Sequence, residues 1–464
     1  MESRIERDTL GERKVPTEAY YGVQTDRALE NFPISGLRAK TVYVDATIHI
    51  KKAAAIVNKS LGQLDPKKAD AIIRAADEML GGRFREWFVV DVFQAGAGTS
   101  HNMNVNEVIA NRAIELLGGQ KGDYAVVHPN DDVNMSQSSN DVCPAAVRIA
   151  AVLNARKLIL SLLSLEQAFA RKSGQFDKVI KSGRTHLMDA VPLRLGQEFG
   201  AWATNMRKHS EAIGRSSEQC KELGLGGTAV GTGLNAHRDY RQKMVEQVSS
   251  QLDVDFRMSR DYFEAMQSLR PLVELSGAIR NLGQDLIRIS NDIRLLASGP
   301  TTGLSEIAVP AVQPGSSAMP GKVNPVMMEM MDMVCFQVIG CDTVVLLAAQ
   351  AGQLELNVML PVVAYNILHE IEILGNAVDV YEKYGITGIT ANEERCRSFA
   401  QGSIGIVTVL IPYIGYAKAA EIAKESLSSG KSIRRVIVEK GLFPEDKLND
   451  IFDLYRMTEP GAEE

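Results

Sequence analysis

The sequence predicts a mainly α-helical protein built around a central bundle of long helices, and three observations carry that expectation. The first is a heptad stripe, Leu275, Ile279, Leu282, Leu286, Ile289, Ile293 and Leu296. Its alternating steps of four and three residues place every side chain on one seam, the pattern of a helix that packs on its neighbours at about +20°. The second is a set of stretches rich in Leu, Ile, Val, Ala and Met at helical spacing, from Pro144 to Phe169, Pro192 to Cys220, Pro325 to Leu347 and Val362 to Val380. With the heptad stripe they make five long helices. The third is that strand signals are few.

Length and pattern divide the 464 residues into three domains. Residues 1–140 read as an N-terminal mixed, mostly helical domain, in which Lys51 to Leu80 has helical spacing. Residues 141–386 form the central helical-bundle domain, whose methionines and leucines are read as core packing. Residues 387–464 hold shorter helical pieces broken by Gly402, Gly405, Gly415, Gly430 and Gly441, and read as a small C-terminal helical domain with a loose end from Glu459.

Composition narrows the function. At 45% hydrophobic and 23% charged the chain is globular, and a net charge of −6 leaves no basic face for nucleic acid or an anionic membrane. Any anionic ligand must therefore be held by local charge. The five cysteines (Cys143, Cys220, Cys335, Cys341, Cys396) form no CxxC pair and no ligand-like cluster with the seven histidines. Neither a metal site nor a disulfide framework is expected, no cofactor is implied, and a reducing cytoplasm fits. Met1 to Leu10 is too charged for a signal peptide, and no apolar run is read as approaching the ~20 residues that span a bilayer.

Four polar segments carry the chemistry: GAGTSHNMNVNE (Gly96 to Glu107), SQSSND (Ser136 to Asp141), GRTHLMDAVP (Gly183 to Pro192) and GSSAMPGKVNP (Gly315 to Pro325). Three of them feed helices expected to open at Pro144, Pro192 and Pro325, where a missing N–H costs nothing. One helix N-terminus attracts an anion by up to ~2 kcal/mol, so several converging ends hold a dianion without an arginine cluster. The plain alternative is ordinary N-capping. In the last segment Ser316 and Ser317 offer a proton acceptor and donors, Lys322 a fixed cation, and Asn324 with Pro325 a helix cap. His186, beside Thr185, is the histidine best placed for proton work, and Glu329 is the carboxylate expected to orient it. His49, His128, His209, His237 and His369 are read as structural.

These motifs, with LGGTAVGTGLN (Leu225 to Asn235), GQLELNV (Gly352 to Val358) and the opening ERDTLGERKVPTEAYYGVQT, closely resemble those of the aspartase/fumarase superfamily, in order along nearly the whole chain. The resemblance implies a three-domain aspartase/fumarase-like subunit whose five-helix bundle joins three others in a homotetramer with a twenty-helix core. It further implies active sites built from three subunits. By matching positions, Thr99, Ser138, Ser139 and Asn140 come from one chain, Thr185 and His186 from a second, and Ser316, Lys322 and Asn324 from a third. Ser317 and Met319 bind substrate from the same loop as Ser316, and Glu329 matches the carboxylate that pairs with the site histidine.

The chemistry implied is reversible trans elimination from a succinate derivative to fumarate, with Ser316 taking the Cβ proton and an aci-carboxylate as intermediate. GTSHNMN, AGQLELNVM and GLSEIAVPAVQPGSS resemble the aspartase form, with Asn140, Thr185 and His186 near the amino group and Thr99, Ser138, Ser139 and Ser316 near the β-carboxylate. Three departures keep a class II fumarase, or a lyase of another succinate derivative, as alternatives: Ser139 in place of threonine, Leu360 in place of glutamate, and Ala318 in place of isoleucine. A fold retained without activity is a third reading, and the intact Ser316, Lys322, Asn324, Thr185 and His186 speak against it.

Overall fold

The computed structural model describes residues 2–461. A hairpin of β1 (Ser3–Asp8) and β2 (Gly11–Pro16) precedes α1 (Val23–Asn31), α2 (Thr41–Ser60), α3 (Pro66–Leu80), α4 (Thr99–Leu116) and α5 (Ser139–Gln175). A second hairpin, β3 (Ile180–Thr185) and β4 (Met188–Arg194), leads to α6 (Leu195–Gln219), then β5 (Glu222–Leu223), α7 (Tyr240–Leu252), β6 (Arg257–Met258), α8 (Tyr262–Gln267) and α9 (Arg270–Leu296). The chain continues through β7 (Ile307–Ala308), α10 (Val326–Gln350), α11 (Leu360–Val380), β8 (Thr390–Ala391) and α12 (Glu393–Gly402) to α13 (Ile411–Ile414), α14 (Tyr416–Ser429), α15 (Ile433–Glu439) and α16 (Glu445–Ile451). The strands pair only two at a time, so the expected mainly helical class holds.

The five long helices are α5, α6, α9, α10 and α11, where the apolar spacing placed them, but their starts differ. Pro192 lies in β4, not at a helix start, because a two-stranded hairpin has an open edge that tolerates a missing N–H. Pro144 sits inside α5, which already begins at Ser139. Only Pro325 stands directly before its helix. The single stretch from Lys51 to Leu80 is divided: Asp65 accepts from the N–H groups of Lys67 (2.9 Å) and Lys68 (3.1 Å), a cap that starts a new helix at Pro66.

The chain folds as two compact units. One comprises Met1–Leu160, Glu211–Gly283 and Cys335–Gly375, the other Ser161–Ser210, Gln284–Val334 and Asn376–Glu464. In the first unit α2, α3 and α4 bury Ile48, Ile72, Met79, Val105 and Ile109 in one core. Leu275, Ile279 and Leu282 of α9 are wholly buried, and Asp342 of α10 accepts from Ser276 Oγ and Arg280 Nη1, each at 2.9 Å.

In the second unit Leu286, Ile289 and Ile293 are wholly buried. Phe169 of α5 meets Phe199 and Trp202 of α6 at centroid separations of 6.2 and 5.8 Å. His209 and Asn205 both reach Asp285 Oδ2, at 2.7 and 3.1 Å, and Arg294 reaches Asp332 at 3.1 Å. Each fully buried Leu or Ile contributes roughly 1.5–3 kcal/mol, so the heptad seam outweighs these polar cross-links. A separate small core gathers Ile406, Leu410, Ile422, Val436, Ile437 and Leu448.

Helix α10 corrects one expectation. It is long and apolar enough to cross a membrane, with a mean hydropathy of 1.7 over its best window, of which only 39% is buried. Its Asp332 and Asp342 are nevertheless held by arginines of α9, the arrangement of a core helix. None of the five cysteines is in a disulfide, and all are buried.

Glu370 of α11 is wholly buried. Burial pushes its carboxyl well above the ordinary carboxylate range; the Ser276 hydroxyl opposes this and the Asp342 charge adds to it. The folded state thus keeps a proton that the unfolded chain releases above pH 4.5, so this group costs increasing stability as pH rises from there toward its folded pKa. Glu370→Gln is expected to raise the thermal midpoint over the parent at pH 8, with the gain shrinking toward pH 5, as read by thermal melts across that range.

Candidate active site

In the first unit two helix starts meet. Thr99 is the first residue of α4 and Ser139 the first of α5, and their hydroxyl oxygens lie 3.2 Å apart. Gly98 before α4 has no side chain to cap it, and Gln94 Oε1 accepts only the His101 N–H, at 2.7 Å, so the first residues of that helix present its positive end beside both hydroxyls. The approach depends on backbone: Ala97 and Gly98 adopt left-handed conformations (φ 61° and 78°), and a Cβ on Gly98 would stand 2.9 Å from Cys143 Sγ of α5.

Two motifs without an assigned role prove to be the backing of this corner. Val358, from GQLELNV, accepts the Ala97 N–H at 2.9 Å and packs on Gly96. The LGGTAVGTGLN segment is held by Asp141, which accepts from the N–H groups of Gly226 (2.9 Å) and Thr228 (3.1 Å) with one oxygen and from Ser138 N–H (2.9 Å) with the other. Asn140 Nδ2 in turn donates to the Ala229 carbonyl at 2.8 Å, which fixes the side chain expected near the substrate amine. Burial raises the Asp141 carboxyl to about 6, against the pull of these N–H groups and the nearby Lys51 charge.

Nothing in the sequence distinguishes Lys51 from Lys52, yet the fold gives it a special place. It is wholly buried, donates to Asn134 Oδ1 (2.8 Å) and Gln137 Oε1 (3.0 Å), and is pushed down to about 7 by burial. It places an amine donor, poised to change charge near neutral pH, beneath the turn that presents Ser138 to Asn140. The asparagines of GAGTSHNMNVNE are structural: Asn102 and Asn106 donate to Asn134 Oδ1 at 3.2 and 3.1 Å, and Asn104 bonds Val89 N–H and the Trp87 carbonyl. Glu107 accepts the N–H groups of Gly22, Gln24 and Thr25 at the start of α1. His101, stacked on Tyr43 at 4.1 Å and bonded to Thr47 at 2.9 Å, is driven down to about 3 by burial and stays neutral.

The second unit carries the remaining residues on two exposed turns. Thr185 ends β3 and pairs with Met188, so His186 and Leu187 form a two-residue turn with φ 56° and 61°. That is a type I′ geometry usually given to Asn-Gly, and holding a His-Leu pair there costs of order 1–3 kcal/mol per residue. The hairpin thus presents Thr185 and His186 outward at a turn, where a helix start was expected.

In the Gly315–Pro325 segment, Gly315 N–H donates to the Lys322 carbonyl at 2.8 Å and Asn324 Nδ2 donates to the Gly315 carbonyl at 2.6 Å. The Asn324 side chain therefore closes the neck of the loop; the helix-cap role read from the sequence is not what this bond does. Above the neck, Ser316 Oγ accepts from the N–H groups of Ala318 (3.1 Å) and Met319 (3.0 Å). Ser317, Met319 and Lys322 are exposed, and Glu329 lies in the first turn of α10. No hydrogen bond joins His186 to Glu329 within the chain, among the described residues.

The chain matches the family described as lyase over residues 11–340 and the fumarase C C-terminus over residues 406–459. It belongs to the aspartase/fumarase superfamily. An aspartate ammonia-lyase from Bacillus sp is 46% identical over 458 residues, covering 99% of this chain and 98% of that one. A class II fumarate hydratase from Ralstonia nicotianae is 46% identical over 442 residues, covering 95% and 96%. A fumarate lyase:delta crystallin from Brucella melitensis, solved bound to cobalt, superposes with a TM-score of 0.96 at 47% identity, covering 99% of this chain and 100% of that chain.

In this superfamily member the loop neck is closely confined. A Cβ on Gly315 would stand 2.4 Å from the Lys322 carbonyl oxygen, a clash with backbone that no rotamer relieves. Gly315→Ala is expected to open the neck and lower kcat/KM by roughly 10-fold or more, with a thermal midpoint close to the parent's; steady-state kinetics beside a thermal melt check both.

Proposed function

We propose that the protein is an aspartate ammonia-lyase that converts L-aspartate reversibly into fumarate and ammonia. The observation that carries the reading is the seat of Ser316. An ordinary hydroxyl is almost un-ionised at neutral pH, yet here its oxygen already accepts two backbone N–H groups, at 3.1 and 3.0 Å, and such donors favour the alkoxide. As alkoxide, Ser316 takes the Cβ proton. The electron pair passes to the adjacent carboxylate as an aci-carboxylate, then returns to form the double bond as the Cα–N bond breaks and ammonia leaves with its electrons.

The start of α4, the hydroxyls of Thr99, Ser138 and Ser139, and the Lys322 ammonium supply the positive potential that the extra charge of the intermediate needs. Asn140, Thr185 and His186 are assigned to the amino group, Ser317, Met319 and Asn324 to the walls of the loop side, and Glu329 to orienting His186 from another subunit. Ammonia departs readily as a protonated amine, so His186 has less to do as an acid than in a hydratase.

Assembly as a homotetramer completes the pocket in this reading. One face of α10 supports it, exposing Met333 (63%), Phe336 (61%), Leu346 (51%) and Leu347 (54%) along one side, apolar area that a second copy of the bundle would cover. Five buried cysteines, none in a disulfide, suit the cytoplasm. The fumarase reading draws on Ser139, where SSND is the hydratase form.

The deciding experiment compares L-aspartate and L-malate side by side, following fumarate absorbance and ammonia release. Aspartate turnover with little malate turnover is expected; strong malate turnover with silent aspartate would transfer the chain to the fumarases. Ser316→Ala is expected to lower kcat by about 10²–10⁴-fold while the oligomer, read by light scattering, stays intact. Lys322→Ala is expected to raise KM as well as lower kcat.

A further inference from the structure

Behind the Thr185–His186 turn lies a buried ionic cluster that the elimination chemistry does not use. Glu306 is wholly buried, and both of its carboxylate oxygens accept from Arg184 Nη1 at 3.0 Å. Lys181, 2% exposed, stands 3.4 Å from the same carboxylate and 2.7 Å from Glu198 Oε1. The register of the hairpin shifts between Ser182 and Arg184, where Gly183 faces two residues of β4, Ala190 and Val191, and on either side of this irregularity Lys181 and Arg184 reach one carboxylate. Burying Lys181 and Glu306, with Arg184 and Glu198 half-buried beside them, is expensive, and well-packed apolar residues would serve stability as well or better. The placement of the cluster gives it another use.

Arg184 immediately precedes Thr185. Glu306 is anchored at the stem of the catalytic loop: its carbonyl accepts from Asn392 N–H at 2.9 Å, and the next residues, Ile307 and Ala308, pair with β8. Arg395 holds the preceding residues by donating to the carbonyls of Leu304 (3.1 Å) and Gly303 (3.3 Å). The Arg184 and Arg395 guanidiniums both lie over the Phe399 ring, at 5.2 and 4.4 Å. From this stem the chain runs directly into Gly315 and Ser316.

We propose that Arg184 and Glu306 are positioning residues whose ion pair ties the hairpin bearing Thr185 and His186 to the stem of the loop bearing Ser316 and Lys322. The inference rests on the composite-pocket reading above and deepens it. In that reading the hairpin and the loop of one protomer serve different pockets, so the pair also links closure of the loop over one pocket to the hairpin of the next.

The test uses the intact oligomer, with Glu306→Gln, Arg184→Lys and the double variant Arg184→Gln/Glu306→Gln. Kinetic constants are measured with whichever substrate the wild type turns over. Loop closure is read without chemistry, as protection of the Lys322 peptide bond from trypsin by succinate, a diacid with nothing to eliminate. Glu306→Gln is expected to lower kcat by roughly 10-fold or more and to raise the succinate concentration giving half-protection, with circular dichroism and oligomer size unchanged. Arg184→Lys keeps the charge but not the planar fork and is expected to fall between wild type and Glu306→Gln. The double variant is expected to lose less than the sum of its parts.

A folded Glu306→Gln with wild-type kcat, KM and protection, whatever its melting point, overturns the proposal. If that variant does not fold, Arg184→Lys decides: a wild-type protection curve and kcat overturn the proposal, and a shifted curve supports it. A wild-type enzyme that succinate does not protect removes the diacid-pocket reading and this proposal together, whereas a protected wild type with unmoved variants removes the proposal alone.

Discussion

An acidic chain that handles a diacid has to concentrate positive potential without a basic surface, and in the proposed reading the 3.2 Å contact between Thr99 and Ser139 is where this one does so. It brings the starts of α4 and α5 together, so each helix lends its N-terminal dipole to one corner. Everything around the contact serves to hold it. Gly98 lets α4 approach Cys143 of α5, Val358 pins Ala97, and Asp141 binds the loop that in turn holds Asn140. Lys51 adds a buried amine that donates to Asn134 and Gln137 beneath the corner. Beneath the corner Asn102 and Asn106 donate to Asn134, and Asn104 satisfies the Val89 N–H and the Trp87 carbonyl.

The second unit solves a different problem, presenting reactive groups on exposed turns with a defined aim. Its turns are strained or narrow: His186 and Leu187 take positive φ, and Gly315 leaves no room for a side chain. Such conformations persist only where the framework below over-determines them. For the hairpin that framework includes Lys181, Arg184, Glu198 and Glu306; for the loop it is the two hydrogen bonds across the neck. Rigid stems carrying short exposed tips allow a loop to close without its reactive serine losing direction.

The long helices are legible in the sequence because burial imposes a period, and the α9 seam is buried at each of the six positions from Leu275 to Ile293. Their starts are less so. Proline suits the opening of a helix at Pro192, but it is equally at home on the edge of a hairpin, and only pairing with another strand distinguishes the two. Asn324 reads as a cap, since asparagine before proline suits one. In the fold its amide closes the loop neck, a contact with a residue nine positions earlier in the chain that no local pattern announces.

From the sequence alone came the helical class, the reactive segments, the serine and lysine of the loop, and the superfamily, because these depend on local periodicity and on contiguous motifs. Only the tertiary structure decided which motif residues are tied up as scaffold, since Asn102, Asn104, Asn106 and Glu107 read no differently from Thr99 until their partners are seen. It alone singled out Lys51 from Lys52 and joined Arg184 to Glu306. The physical reason is the same in each case: burial and ion pairing are relations between residues far apart in the chain, and a side chain's chemistry follows from what surrounds it.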